Sequence, residues 1–123
     1  MKKTLLLASA LLLATPVFAA ADDVMPNFFG NTLVVSGGMV DSNTHFRPDH
    51  TFDATASILG AKIVRKGTWK IDDKGELCRT LEDPPAGAPN PLCFAIAAHK
   101  PGDSWTMTIN GNTRTLTLKA GIQ

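Results

Sequence analysis

The chain has 123 residues, 44% apolar and 19% charged, with two cysteines and a formal net charge of +1. That length makes one domain. After the N-terminus the only adjacent basic pair is Arg65-Lys66; nucleic acid or an anionic membrane would need a basic stripe, and there is none.

The first residues read as export machinery rather than fold. Lys2-Lys3 form a basic start, Leu5–Leu13 an apolar run, and Val17-Phe18-Ala19 or Ala19-Ala20-Ala21 a small-residue cleavage site. The run is too short for a comfortable membrane span, and no second one follows. Residues 1–21 are therefore expected to be a cleaved signal peptide, and 22–123 a single antiparallel β-domain in the periplasm. Losing Lys2 and Lys3 leaves ten basic against eleven acidic side chains, a formal charge of −1. Two cysteines in an exported chain read as one disulfide.

Asp22–Gly30 is a lead-in whose Phe28 and Phe29 are placed to cover one end of a core. Asn31–Ser36 alternates as a first strand, with Leu33 and Val35 on one face, until Gly37-Gly38 breaks it. A polar connector, Met39–Asn43, leads into Thr44-His45-Phe46. Pro48 presets the backbone for the first central position of a type I turn, and Asp49 favours the turn as well. A three-residue loop Pro48-Asp49-His50 requires His50 in the left-handed conformation. It pairs Arg47 with Thr51, Phe46 with Phe52, and His45 with Asp53 on the opposite face. Past the Leu59-Gly60 break, Ile63, Trp69 and Ile71 share one parity, and Lys66, Thr68 and Lys70 the other.

Asp72–Gly75 is a turn, and Glu76–Leu81 a strand with Leu77 and Leu81 inward and Cys78 outward. Glu82–Pro91 holds four of the eight prolines and cannot be regular structure. Leu92–Ala98 turns Leu92, Phe94 and Ile96 inward and Cys93 outward, so a Cys78–Cys93 bond clamps the proline loop at its root. In the last hairpin Trp105, Met107 and Ile109 alternate with hydroxyl residues, as do Leu116 and Leu118. A Gly111-Asn112 loop would pair Met107 with Leu116 and Trp105 with Leu118. The alternative Asn110-Gly111 loop would set Met107 against Arg114, a poorer match, so the first register is preferred.

No segment sustains a helical period. About eight short strands with mostly short connections predict an all-β fold, an up-and-down antiparallel meander closing into a small barrel, with an open β-sandwich as the alternative. Closure removes exposed sheet edges.

Phe46-Arg47-Pro48-Asp49-His50-Thr51, Gly67-Thr68-Trp69, and then Cys78 and Cys93 resemble the F-x-P-D-G-T … G-x-W … C pattern of small uncharacterised secreted proteins of Gram-negative bacteria, which look like reduced lipocalin-type (calycin-like) barrels. The likeness covers roughly Asn31–Gly121 and departs from the pattern at His50, where glycine is usual. It implies a fold and an envelope location, and carries no catalytic residues across.

Three functional readings follow. A barrel lined by Phe46, Phe52, Trp69, Phe94, Trp105 and Met107 suits a small apolar ligand. The proline-stiffened Glu82–Pro91 loop suits an inhibitor or interaction module with an envelope protein as partner. His45, His50 and Asp53 suit a shallow surface metal site. Ser36, Ser42, Ser57 and Ser104 lack a nucleophile-elbow context, and there is no glycine-rich phosphate loop. The expectation is therefore a non-catalytic monomer without a cofactor.

Overall fold

A computed structural model describes residues 23–38, 40–109 and 111–123; the expected signal peptide, residues 1–21, lies outside them. Eight strands follow in chain order: β1 (Thr32–Ser36), β2 (Ser42–Phe46), β3 (Thr51–Ile58), β4 (Ala61–Ile71), β5 (Glu76–Leu81), β6 (Leu92–Ala95), β7 (Ser104–Ile109) and β8 (Asn112–Lys119). All pair antiparallel in one sheet of order β6-β5-β4-β3-β2-β1-β8-β7. The β1–β8 ladder rolls the meander into a nearly closed barrel, with the seam between β6 and β7. The sandwich alternative is excluded.

The turn chemistry between β2 and β3 holds as the residues dictate. His50 has φ 69°, the Arg47 N–H donates to Thr51 O at 3.0 Å, and Phe46 faces Phe52 while His45 faces Asp53. Gly67, in the middle of β4, has a different role. A Cβ there would lie 2.0 Å from the Thr80 carbonyl and 2.9 Å from the Phe52 ring, so only glycine lets β5 and Phe52 approach this closely.

The last hairpin departs from expectation. Ile109 pairs with Asn112, Met107 with Arg114 and Trp105 with Leu116, two residues away from the preferred register. Asn-Gly is the favoured pair for a turn with positive φ at both central positions, and Gly111 has φ 78°. A slip of two residues preserves the inward face, so Leu116 and Leu118 still reach the core against Val35 and Leu33 of β1. Apolar matching across the hairpin therefore does not discriminate between the two registers.

One end of the barrel is capped. Residues Met25–Phe28 form a 3₁₀ turn with Pro26 near its start, and Val24, Met25 and Phe28 are buried with Phe46, Phe52, Trp69 and Leu77. Phe28 meets Phe46 edge-on at 6.2 Å, and Phe29 packs on Trp69 at 5.8 Å. The lead-in therefore covers the core as expected, with Val24 and Met25 joining it. The Trp69 indole N–H donates to Arg47 O at 2.9 Å, so its burial leaves no donor unpaired. Cys78 and Cys93 lie directly opposite in the β5–β6 ladder and are joined as a disulfide. Cys78 is on the outward face as expected but is buried, with Asp72 Oδ2 lying 3.6 Å from its sulfur.

Candidate functional site

The connections β1–β2, β3–β4, β5–β6 and β7–β8 lie at the end of the barrel opposite the cap. Toward that end the interior is not filled. A cavity of about 250 Å³ lies between apolar walls from Leu33, Val35, Phe46, Leu92, Phe94 and Leu116. Side chains from both sides of the β6–β7 seam reach it, Phe94 from one and Ile109 from the other.

Two arginines face this cavity, and no carboxylate is among its lining residues. Arg79 sits between Leu77 and Leu81 on the inward face of β5. Its guanidinium lies 5.4 Å from the Phe52 ring centroid and 5.9 Å from that of Phe94. Its Nε is buried without a hydrogen-bond partner. Burial pushes its pKa down from the usual arginine value, because taking a cation out of water disfavours the charged form. The two rings offset part of that penalty, since a cation over an aromatic face gains roughly 0.5–2 kcal/mol. Arg114, inward on β8, donates from Nη1 to Gly37 O at 3.4 Å. Gly38 leaves it room: a Cβ there would come within 2.6 Å of the Arg114 Cζ. Thr44 adds a hydroxyl that is 1% exposed and has no partner.

Of the six aromatic and sulfur side chains expected around a ligand, Phe46 and Phe94 line this cavity. Phe52 and Trp69 are fully enclosed nearer the cap, and Trp105 and Met107 are half-buried against the core. Trp105 stacks on His99, ring centroids 3.4 Å apart, and His99 pairs with Asp103 at 3.5 Å. The alternation of β5 and β8 already puts Arg79 in step with Leu77 and Leu81, and Arg114 in step with Leu116. Counting parity through charged residues as well as apolar ones would have found both.

The expected metal ligands are not assembled. His45 Nδ1 lies 2.9 Å from Asp53 Oδ1, and Arg47 pairs with the other carboxylate oxygen. His50 stands apart from them. Its left-handed backbone lays the ring flat on Trp69 at 4.2 Å, and its Nδ1 donates to Trp69 O. Asp53 is already satisfied by an imidazole and a guanidinium, so the pair works as a cross-strand clamp. Among the described residues the one group with three candidate ligand atoms close together is Asp72, Cys78 and Cys93, whose sulfurs are bonded to each other. A larger groove of about 460 Å³ runs over the outer face beside His45, Asn43, Thr55 and Lys62; its walls are polar. Residues Glu82–Pro91 form an irregular, largely exposed loop between β5 and β6. It is tied down where the Asn90 side chain bonds both the N–H and the C=O of Leu81.

Among the described residues no helix is long and apolar enough to cross a membrane. Compared with protein families, with characterised proteins and with solved structures, this chain matches nothing.

Proposed function

We propose that the protein is a non-catalytic, periplasmic, monomeric binding protein whose barrel takes up a small amphiphile with an anionic head. The observation that carries this reading is Arg79, a guanidinium facing an apolar cavity with no carboxylate beside it. A buried unpaired charge costs several kcal/mol, and the deficit is removed when a counter-ion arrives. Arg114 and the unpaired Thr44 hydroxyl offer further donors to the same anion, and the guanidinium fork suits carboxylate, sulfonate or phosphate oxygens. The apolar walls would hold the tail. The expectation of an apolar ligand is thus sharpened: an uncharged hydrocarbon would leave Arg79 uncompensated.

About 250 Å³ amounts to roughly eight water volumes, which sets a short chain or a single ring as the ligand size. An N-terminal export pattern and a disulfide both support an extracytoplasmic setting.

Calorimetric titration with octanoate, 1-octanol and octylammonium tests the reading. Octanoate should bind at least tenfold more tightly than octanol, and octylammonium should not bind. Equal affinity for octanoate and octanol would reduce the site to a plain apolar cavity, and no binding by any of the three would remove it.

A further inference from the structure

The β3–β4 hairpin reaches beyond the rest of the barrel. The β2 ladder leaves β3 at Ala56, and β5 leaves β4 at Lys66, where the Glu82 N–H donates to the Lys66 carbonyl. Between those points Ser57 and Ile58 pair only with Lys62 and Ala61, so the tip is a two-stranded ribbon, a structure of marginal stability in water by itself. Large apolar side chains face solvent on it and beside it: Ile58 is exposed and Leu59 is 102% exposed at the tip, and Ile63 and Val64 are exposed where β4 runs alongside Ala56 and Thr55. Leu59 also has φ 50°, followed by Gly60 at φ 80°. Such a turn favours asparagine at the first position; a fully exposed leucine there adds backbone strain and gains no packing inside the chain.

The tip has a basic surround. Between Ala54 and Lys66 the chain carries Lys62, Arg65 and Lys66 and no acidic residue, within a domain whose formal charge without the leader is −1. Glu82 and Asp83 lie beside Arg65 and Lys66 at the base of the ribbon, leaving Lys62 as the cation next to the turn.

We propose that this hairpin tip is a lipid-docking element: Ile58, Leu59, Ile63 and Val64 enter the interface of an anionic membrane, and Lys62 beside the turn meets the headgroups. A convex tip of four apolar side chains is far smaller than the roughly 800 Å² per partner of a stable protein interface, whereas a few apolar groups and adjacent cations suffice for reversible attachment to a bilayer surface. The tip lies at the same end of the barrel as the cavity, so docking would bring the cavity's open end toward the lipid. The inference goes beyond the cavity reading and stands without it.

Co-sedimentation with vesicles of 30% phosphatidylglycerol in phosphatidylcholine, against phosphatidylcholine alone, tests it. All chains compared are identical outside the hairpin, so residues 1–21 contribute equally. The unmodified protein should pellet with the anionic vesicles and release as salt is raised. Leu59→Asn suits the left-handed turn and should keep the melting temperature, yet lower partitioning by roughly tenfold or more, the worth of one leucine moved out of water. Lys62→Gln should lower it about fivefold on anionic vesicles only. Octanoate titration of Leu59→Asn separates the two readings, because it should match the unmodified protein whether or not vesicles bind. Equal pelleting of Leu59→Asn and the unmodified protein, or no pelleting of either, would overturn the proposal. So would a concentration-dependent dimer abolished by Leu59→Asn without vesicle binding, which would assign the tip to a second copy.

Discussion

Replacing Arg79 by methionine keeps a long, flexible apolar stem in place and deletes the buried charge. In the ligand-free protein the change removes an unpaired buried Nε–H, worth about 1–3 kcal/mol of penalty. It also removes the two ring contacts at 5.4 and 5.9 Å, worth about 0.5–1 kcal/mol each. The difference favours Arg79→Met by about 0.5 kcal/mol, or roughly 2–4 °C in melting temperature for a domain of this size. Octanoate at a hundred times its Kd should then stabilise the unmodified protein by about 2.7 kcal/mol and the variant hardly at all. The two melting curves should therefore exchange order as octanoate is added, read by differential scanning calorimetry with and without ligand. A variant that melts lower without ligand would make Arg79 a structural cation held by Phe52 and Phe94, and the reasoning would fail. An octanoate shift of equal size in both proteins would refute it as well.

Further expectations follow from the same contacts. Gly67→Ala forces a methyl against the Thr80 carbonyl and should destabilise by about 3 kcal/mol, seen as a lowered urea midpoint; an unchanged midpoint would mean the β4–β5 approach is looser than described. Gly38→Ala meets only the end of the Arg114 side chain, so it should leave the midpoint alone and weaken octanoate, by titration, several-fold. Breaking the Cys78–Cys93 bond, 15 residues apart in sequence, should cost about 3 kcal/mol in the same urea assay with and without reductant. The Thr51 hydroxyl and N–H, both donating to Asp49, hold its carboxyl below the ordinary aspartate range. A lowered folded pKa contributes stability that is present above the unfolded value and is lost as pH falls through the folded one. Asp49→Ala should therefore remove part of the acid-side loss, visible as a shallower decline in melting temperature below pH 4.

Most of the barrel was legible because its information is local. A period of two, one proline and a pair of facing phenylalanines are enough to give the β2–β3 register, and both cysteines fall on the outward parity of adjacent strands. The β7–β8 register was not legible, since a shift of two residues keeps every inward side chain inward; the Asn-Gly turn decides it. The site was hidden for a different reason. Arg79 and Arg114 obey the inward parity of their strands, but a charged residue at such a position is ordinarily discounted as a snorkelling surface side chain. Whether it snorkels out or points in depends on the barrel closing around it. The histidines misled in the opposite sense: His45 and Asp53 meet as the register demands, while the φ of His50 turns it away from them and onto Trp69.

The two ends of the barrel differ in how completely they are packed and paired. At the capped end, Val24, Met25 and Phe28 seal an aromatic layer in which the buried indole N–H of Trp69 is paired. Fully burying side chains of this size stabilises by roughly 1.5–3 kcal/mol each. That layer can carry a penalty elsewhere, and the penalty is found toward the opposite end, in the unpaired Nε–H of Arg79, an unpaired threonine hydroxyl and an unfilled volume. Each would be removed by an ordinary apolar substitution that this fold accommodates, which is why stabilising changes there are expected to be easy and to cost function. The same division predicts where damage is silent: truncating Phe28 should lower stability without changing the preference for octanoate over octanol in whatever fraction remains folded. Truncating Arg79 should do the reverse.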